Sequence, residues 1–347
     1  MIEVKKHSIA HHRKISDALF MLNELGEDLT LFVVRNDDTL IGTITDGDIR
    51  RGLLNNFTLQ DSVEAVMRSS FKFIKEGISD QRELQSIREL GIKLLPVVDE
   101  LGRIKKLLNL SVLQTILPID VVIMAGGEGR RLRPLTEKIP KPLLKVGNKP
   151  ILEHTIDRLI NFGVEQFWIS IGYLGDQIES YFGNGANKGI MVQYVREEKP
   201  LGTIGAASAI SDFKHDHVLI INSDILTNIN FQEFYDEFIS QDADLAVATI
   251  PYNVNIPYAV LETSNGHVIS FKEKPTYTYH SNAGIYLVKK KVLENVPKDF
   301  YNATDLMELL IQKGNKVISF PLIGYWLDIG KHEDYAKANE DIKHLRF

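Results

Sequence analysis

Apolar and polar positions change period along this chain, and each change marks an element. Near the start, Ile15, Leu19, Leu22 and Leu25 recur at helical spacing, with Ser16 and Asp17 in front as cap candidates and Gly26 just past the end. A second stretch of this kind opens at Ile78-Ser79-Asp80 and closes at Glu89-Leu90-Gly91. Each helix is predicted to feed an apolar strand, Leu31 to Val34 and Leu94 to Val98. A polar turn, a second strand and a short helix follow each. Residues 1–118 thus read as an α+β unit written twice, whose halves bury a sheet face that neither buries alone.

From residue 119 the pattern alternates short apolar runs with amphipathic helices. Asp120 to Met124 is continuous and apolar and ends in Ala125-Gly126-Gly127, as a buried parallel strand does. Pro150 stands at a helix start, with Ile151, Leu152, Thr155, Ile156, Leu159 and Ile160 on one face and Gly163 as terminator. Phe167 to Ile171 and His217 to Ile221 are further strands. Strand, helix, strand, helix predicts an α/β, Rossmann-like, doubly wound and mostly parallel sheet over 119–347. Ligands of such sheets sit beyond the carboxyl ends of the strands, which ranks the polar residues.

At 347 residues the chain has room for two domains. Its 44% hydrophobic and 25% charged content is that of a globular protein rather than a disordered one. Zero Cys excludes a disulfide framework, thiolate zinc sites and thiol nucleophiles. The apolar runs are strand-length, so no membrane span is expected. The N-terminus lacks a signal-peptide core, because His7, His11, His12, Arg13 and Lys14 fall too early and too densely. A net charge of -6 argues against nucleic acid or an anionic membrane as partner. A cytoplasmic enzyme is expected.

The loop Ala125-Gly126-Gly127-Glu128-Gly129-Arg130-Arg131-Leu132-Arg133-Pro134 leaves the carboxyl end of the first buried strand of this part. Its glycines let backbone N–H groups approach a phosphate, and its arginines suit a polyphosphate. It is not a dinucleotide fingerprint, which has Gly where Leu132 stands, nor a P-loop, which needs Gly-Lys-Ser/Thr. A tight turn with a solvated basic edge is the plainer alternative. The nearby Pro140-Lys141-Pro142 favours a nucleotide site.

Here residues 119–347 resemble the sugar-1-phosphate nucleotidylyltransferases. That family's Gly-Gly-x-Gly-Thr-Arg-Leu-x-Pro-Leu-Thr signature and following Pro-Lys-Pro are present, with Arg130 where Thr is usual. The resemblance implies that Ala125, Gly126, Gly127, Gly129 and Arg130 cradle the nucleoside triphosphate. It gives Arg131 and Lys141 the phosphates and the transition state. In Pro200-Leu201-Gly202-Thr203 it places Gly202 and Thr203 against the base, in a form closer to guanylyltransferases of mannose or heptose phosphates. It pairs Asp224 with Asp328 on one Mg²⁺, the ion that takes one or two carboxylates plus substrate phosphates. It assigns Glu273, Lys274, Asn282 and Gly284 to the sugar phosphate, with Tyr173 bordering that pocket.

Residues 8–117 resemble a tandem pair of CBS motifs, a Bateman module, which often binds adenine nucleotides. Thr45 and Asp48 match its Thr-x-x-Asp, whose Asp holds a ribose. Aligning Val33 with Val97 puts Asn109 and Val112 at those positions in the second half, so at most one nucleotide site is intact. A purely structural or dimerising module is the alternative. Such modules pair face to face, so a homo-oligomer is expected.

Together the two resemblances imply GTP and glucosamine 1-phosphate, or a related hexose 1-phosphate, giving a GDP-sugar and pyrophosphate. Mannose or heptose 1-phosphate, and dTTP, UTP or CTP, are the alternatives. The combination resembles enzymes that supply nucleotide-activated surface sugars, legionaminic acid among them. A glycosyltransferase would use Asp242-Ala243-Asp244, but that motif precedes a strand and is expected at the wrong sheet edge, as a helix-to-strand turn. A silent nucleotide sensor would be expected to lack one of the two aspartates.

Overall fold

The computed structural model describes residues 2–26, 29–76 and 81–345. Two compact units divide between Ile116 and Leu117.

The first unit comprises β1 (Ser8–Ala10), α1 (Ile15–Leu25), β2 (Thr30–Val34), β3 (Leu40–Thr45), α2 (Asp46–Leu54), β4 (Ile74–Lys75), α3 (Gln81–Glu89), β5 (Leu94–Val98) and β6 (Ile104–Asn109). The repeat is visible in its register. β1 and β4 run parallel to β2 and β5, and β3 and β6 return antiparallel. Thr30 faces Thr45 in one half and Leu94 faces Asn109 in the other. The irregularities also correspond, at Val33/Val34 and Val97/Val98. Phe32 and Leu40 of the first half bury against Leu94, Val98 and Leu107 of the second, the shared core that the repeat predicted.

Two expectations change. Lys14, not Ser16 or Asp17, occupies the N-cap of α1, and Asp17 accepts the Lys14 N–H at 3.3 Å from inside the first turn. The second half ends in a turn where the first has α2. There Asn109 Oδ1 accepts from the Ser111 N–H, closing a local turn, and exposed Val112 stands where Asp48 caps the helix. The Ile78-Ser79-Asp80 start lies outside the described residues.

The second unit holds β7 (Asp120–Ala125), β8 (Lys145–Val146), β9 (Lys149–Pro150), α4 (Ile151–Asn161), β10 (Gln166–Ile171), α5 (Gly175–Phe182), β11 (Met191–Arg196), α6 (Gly205–Ser208), β12 (His217–Asn222), β13 (Ile225–Thr227), α7 (Phe231–Ser240), β14 (Leu245–Asn255), β15 (Val260–Ser264), β16 (His267–Lys272), β17 (Thr276–Lys289), α8 (Lys290–Leu293), α9 (Ala303–Gln312), β18 (Val317–Pro321), β19 (Trp326–Asp328) and α10 (His332–Asp341). Seven strands form its sheet in the order β11-β10-β7-β12-β17-β14-β18. Only β17 runs antiparallel to its neighbours. This is the doubly wound, mostly parallel sheet expected. On α4, Ile151, Leu152, Thr155, Ile156 and Leu159 are buried, as the periodicity predicted. Trp168, though on a core strand, is half-buried and meets Phe213 edge-on. The strand that follows Asp242-Ala243-Asp244 runs from Leu245 to Asn255.

Asp242 and Asp244 precede β14. Lys289 Nζ lies 2.6 Å from Asp242 and 3.3 Å from Asp244, and the Lys316 N–H and Asn315 amide donate to Asp244 Oδ2. The motif fastens a sheet edge, as expected.

Candidate active site

β7 and β12 are adjacent and parallel, so their carboxyl ends open on the same side. The glycine loop leaves the first and Asn222-Ser223-Asp224 the second. The Ser223 N–H donates to the Met124 carbonyl at 3.1 Å, joining the two exits. A short 3-10 helix, Arg130–Leu132, follows Gly129 rather than an α-helix. Gly129 has φ 62, and a Cβ there would lie 3.0 Å from Lys141 Cβ and 3.1 Å from Thr136 Cγ2. Fully buried Thr136 donates its hydroxyl to the Gly129 carbonyl at 2.9 Å. The loop is thereby folded back onto Lys141.

The two aspartates are brought together by strand register. β13 and β19 pair antiparallel with Ile225 opposite Asp328, and the Ile329 N–H donates to the Asp224 carbonyl at 3.0 Å. Lys141, nearly buried, bonds the Asp224 carboxylate through Nζ. The Arg131 guanidinium lies beside Gly330, where a Cβ would meet its terminal nitrogens at 3.4 Å. Arg131, Lys141, Asp224 and Asp328 thus form one cluster.

Burial pushes the Asp328 carboxyl up from its ordinary value, and the Asp224 carboxylate beside it adds to the rise; Lys141 and Arg131 pull the other way. Buried Asp328 Oδ1 has no hydrogen-bond partner. A buried carboxylate oxygen left without a donor, beside a second carboxylate, is a donor set suited to a divalent cation. The residues present therefore fit such an ion.

A second group lines the glycine loop. The Tyr173 N–H donates to the Gly126 carbonyl at 3.3 Å, and the Tyr173 hydroxyl to the Glu137 carbonyl at 3.1 Å. Tyr173 thus braces the glycine loop. Glu197, just past β11, was not singled out from sequence. Its carboxylate accepts from the Ser170 hydroxyl and, at 3.0 Å, from the Leu201 N–H, and a Cβ on Gly126 would collide with it. One side chain ties together β10, the glycine loop and the Leu201–Thr203 segment. Its place at the carboxyl end of a parallel strand was the available signal.

The remaining residues make contacts of their own. Gly202, φ 75, lies against the Tyr301 carbonyl, and Thr203 Oγ1 accepts the Ala303 N–H at 2.8 Å, at the start of α9. Arg130 is exposed and pairs with Glu128, at 2.6 Å and 2.8 Å. Asn282 spends its amide within its own strand, on the Tyr286 hydroxyl at 2.7 Å and the Gly284 N–H at 2.9 Å. Gly284, φ 73, makes room for the Asn222 side chain and Ile225. Glu273 and Lys274 are exposed between β16 and β17, and no hydrogen bond or ion pair engages their side chains among the described residues.

In the first unit, Asp48 is 5% exposed. Its Oδ2 accepts from the Thr45 N–H at 2.9 Å and the Thr45 hydroxyl at 2.6 Å, and its Oδ1 from Arg51 and, at 2.7 Å, Arg68. Burial raises its pKa, but the bonds from Thr45, Arg51 and Arg68 outweigh it, and the net shift is downward. The carboxylate caps α2 and joins it to Arg68. His11 pairs with Glu64 and His7 with the Thr30 carbonyl, and no group of three or more His, Asp or Glu able to hold a metal occurs among the described residues.

A mostly parallel sheet with a glycine loop, two basic residues and two carboxylates at its carboxyl edge has the charge arrangement that phosphoryl-group transfer needs. The chain belongs to the nucleotidyl transferase family, whose model matches residues 120–344. The CBS domain model matches residues 6–55. The D-glycero-alpha-D-manno-heptose 1-phosphate guanylyltransferase of Aneurinibacillus thermoaerophilus is 35% identical over 234 residues, 65% of this chain and 99% of that protein. The mannose-1-phosphate guanylyltransferase of Mycobacterium tuberculosis is 29% identical, over 65% of this chain and 64% of that protein. The structure of HddC from Yersinia pseudotuberculosis superposes with a TM-score of 0.52 at 30% identity, covering 65% of this chain and 99% of that one. Among the described residues, no helix is long and apolar enough to cross a membrane.

Proposed function

We propose that this protein transfers a nucleoside monophosphate from a nucleoside triphosphate, GTP, to a sugar 1-phosphate, glucosamine 1-phosphate or a related hexose, releasing pyrophosphate. The observation that carries the reading is the register of β13 on β19, which sets Asp224 beside Asp328 with Lys141 and Arg131 against them. GTP is favoured because the heptose and mannose relatives are named guanylyltransferases. The cytoplasm is the proposed location.

A sugar phosphate oxygen attacks the α-phosphorus, and the bond to the pyrophosphate oxygen breaks. The nucleophile is ionised at neutral pH, so no strong general base is needed. The obstacle is repulsion between anions and the charge that builds on the transferring phosphoryl group. Arg131 and Lys141 supply fixed positive charge there, and the glycine loop supplies backbone N–H donors. Asp224 and Asp328 would hold Mg²⁺, whose charge offsets that of the phosphates. Glu197 holds the nucleotide loops in place. Lys274 and Glu273 would meet the sugar phosphate from the β16–β17 turn, Lys274 as a point charge.

The first unit is proposed as a regulatory module that takes an adenine nucleotide at Thr45 and Asp48 and associates with its counterpart in a homo-oligomer. A ribose there would have to displace the Arg51 or Arg68 pairing of Asp48. An Asp48→Asn chain whose turnover still responds to AMP and ATP as the parent does would exclude that role.

The catalytic reading is tested by pyrophosphate release with Mg²⁺ across GTP, dTTP, UTP, CTP and ATP, each with glucosamine, mannose and heptose 1-phosphates. Release with GTP and glucosamine 1-phosphate is expected, the pair that would supply a surface sugar such as legionaminic acid. A different productive pair replaces the substrates but keeps the class. No release from folded protein with any pair rejects the class.

A further inference from the structure

The charged cluster is backed by a small apolar core of its own. Leu132, Leu144, Leu226 and Ile329 are buried together, apart from the cores on the two faces of the sheet. Leu132 follows Arg131, Leu144 lies three residues past Lys141, Leu226 two past Asp224, and Ile329 follows Asp328. Ala338 enters this core from α10, and Tyr335 packs against it. Each charged group thus has an apolar anchor close by in sequence, and α10 closes the core that holds the anchors.

The polar contacts of α10 fall on both sides of the stretch that carries Lys141. Downstream, the Tyr335 hydroxyl donates to the Lys145 carbonyl at 2.7 Å, and Asn339 Oδ1 accepts the Gly147 N–H at 3.0 Å. Upstream, His332 Nε2 lies 2.9 Å from the Arg133 carbonyl oxygen. A carbonyl only accepts, so Nε2 carries a proton and donates it. Among the described residues this is the one hydrogen bond that the Arg133 carbonyl accepts. His332 stands at the first position of α10, whose start is fixed by the Asp334 carboxylate accepting the Lys331 N–H at 3.1 Å. Gly330, two residues earlier, lies against the Arg131 guanidinium. Residues 330–332 therefore run beside residues 131–133. The first stretch is continuous with Asp328 and the second with the glycine loop.

We propose that His332 is a positioning residue for the transfer: its bond to the Arg133 carbonyl holds the end of the glycine loop, and with it the Arg131 guanidinium, in place beside Asp328. The role presupposes the nucleotidyl transfer proposed above. Burial of Leu132 sets how deep the loop sits, but apolar contact has no direction. The His332 bond is directional, and it sets the rotation of the peptide that follows Arg131 and Leu132. His332 and Arg133 are both exposed, so water replaces the bond when it is lost. The bond therefore contributes little to stability, and its effect is on the aim of Arg131 at the phosphates.

The test compares His332→Ala and His332→Gln with the parent in the full chain, with the substrate pair that the pyrophosphate assay selects. The glutamine amide can donate to the same carbonyl. His332→Ala is expected to raise KM for the nucleoside triphosphate about tenfold and to lower kcat, with KM for the sugar phosphate unchanged, as displacement of a group at the reacting centre does. His332→Gln is expected to recover most of that loss, and both variants to melt with the parent. Parent-like kinetics in His332→Ala, equal rises in both KM values, or a glutamine variant no better than the alanine one overturns the positioning role. A melting point lowered in both variants would make the bond structural and overturns it as well. If the parent itself releases no pyrophosphate from any pair, the catalytic reading fails and the positioning role with it; the other outcomes count against the positioning role alone.

Discussion

At Asp328 stability and the proposed role pull in opposite directions. Its half-buried carboxyl lies beside Asp224, with one buried oxygen unpartnered, and its pKa is raised. A carboxyl whose folded pKa exceeds its unfolded one binds more protons folded than unfolded across that interval. Stability therefore falls as pH rises through it and stays reduced above it. Asp328→Asn removes this cost, so the variant should melt higher than the parent at pH 7 to 8 in chelator and show no such gain near pH 3. Turnover should fall by about 10³ or more, the scale of losing a preorganised charge at the reacting group. Thermal scans at both pH values, with a pyrophosphate assay, check both halves; a lower melting point at neutral pH would mean that the pair is structural. Gly126 gives a second case. A Cβ there strikes Glu197, so Gly126→Ala should raise KM for the nucleotide roughly tenfold, leave KM for the sugar phosphate unchanged, and cost about 1–3 kcal/mol of stability by overpacking. Equal rises in both KM values would count against Glu197 as the brace of the nucleotide loops. The glycine loop and Lys141 were legible because their chemistry is local in sequence. Glu197 was not, because what matters is its reach to Ser170, Leu201 and Gly126, which strand order decides.

Elements tell a similar story at longer range. The strands ending at Ala125 and Asn222 could be read from apolar runs, and so could the helix after Pro150. The meeting of Asp224 with Asp328 could not be read from spacing, since it depends on the short β13–β19 pairing, and three-residue strands leave no period to see. The extension of β14 and β17 beyond the sheet, Ile250 to Asn255 paired with Thr276 to Ser281, shows the reverse. Its alternation in Tyr252-Asn253-Val254-Asn255 and Thr276-Tyr277-Thr278-Tyr279 is plain once the two strands are known to pair, but in isolation the segments look like loops around Lys274. In the first unit the repeat was legible, while the missing final helix of the second half follows from one cap. Asp48 with Thr45 closes a capping box on α2, and Val112 cannot do so. Asp48→Asn should therefore cost roughly 2 kcal/mol, from lost capping and from a partly buried charge network left unpaired. Because the Asp48 pKa is lowered in the fold, its contribution is present at neutral pH and lost as pH falls below the unfolded value near 4. Denaturant melts at pH 7 and pH 3 measure the difference, and an equal cost at both would assign the loss to packing instead of charge.

At the scale of the whole chain, the question is which unit does what. The second unit has its own apolar cores, from Val121, Ile123, Phe167 and Ile285 on one sheet face to Ile220, Val288 and Leu306 on the other. The heptose relative matches 99% of its own length with 65% of this chain. The cluster of Arg131, Lys141, Asp224 and Asp328, and Glu197, all lie within residues 117–347. These facts predict that a 117–347 chain folds by itself and releases pyrophosphate within about threefold of the full chain's kcat, a difference in barrier under 1 kcal/mol. What it should lose is any response of turnover to added AMP or ATP, and any contribution of the first unit to oligomer mass. A truncated chain that folds, by circular dichroism and a single cooperative melt, yet releases no pyrophosphate would show that residues 1–116 supply part of the active centre. A chain that keeps its nucleotide response would place the effector site on the catalytic unit and leave Asp48 with capping alone.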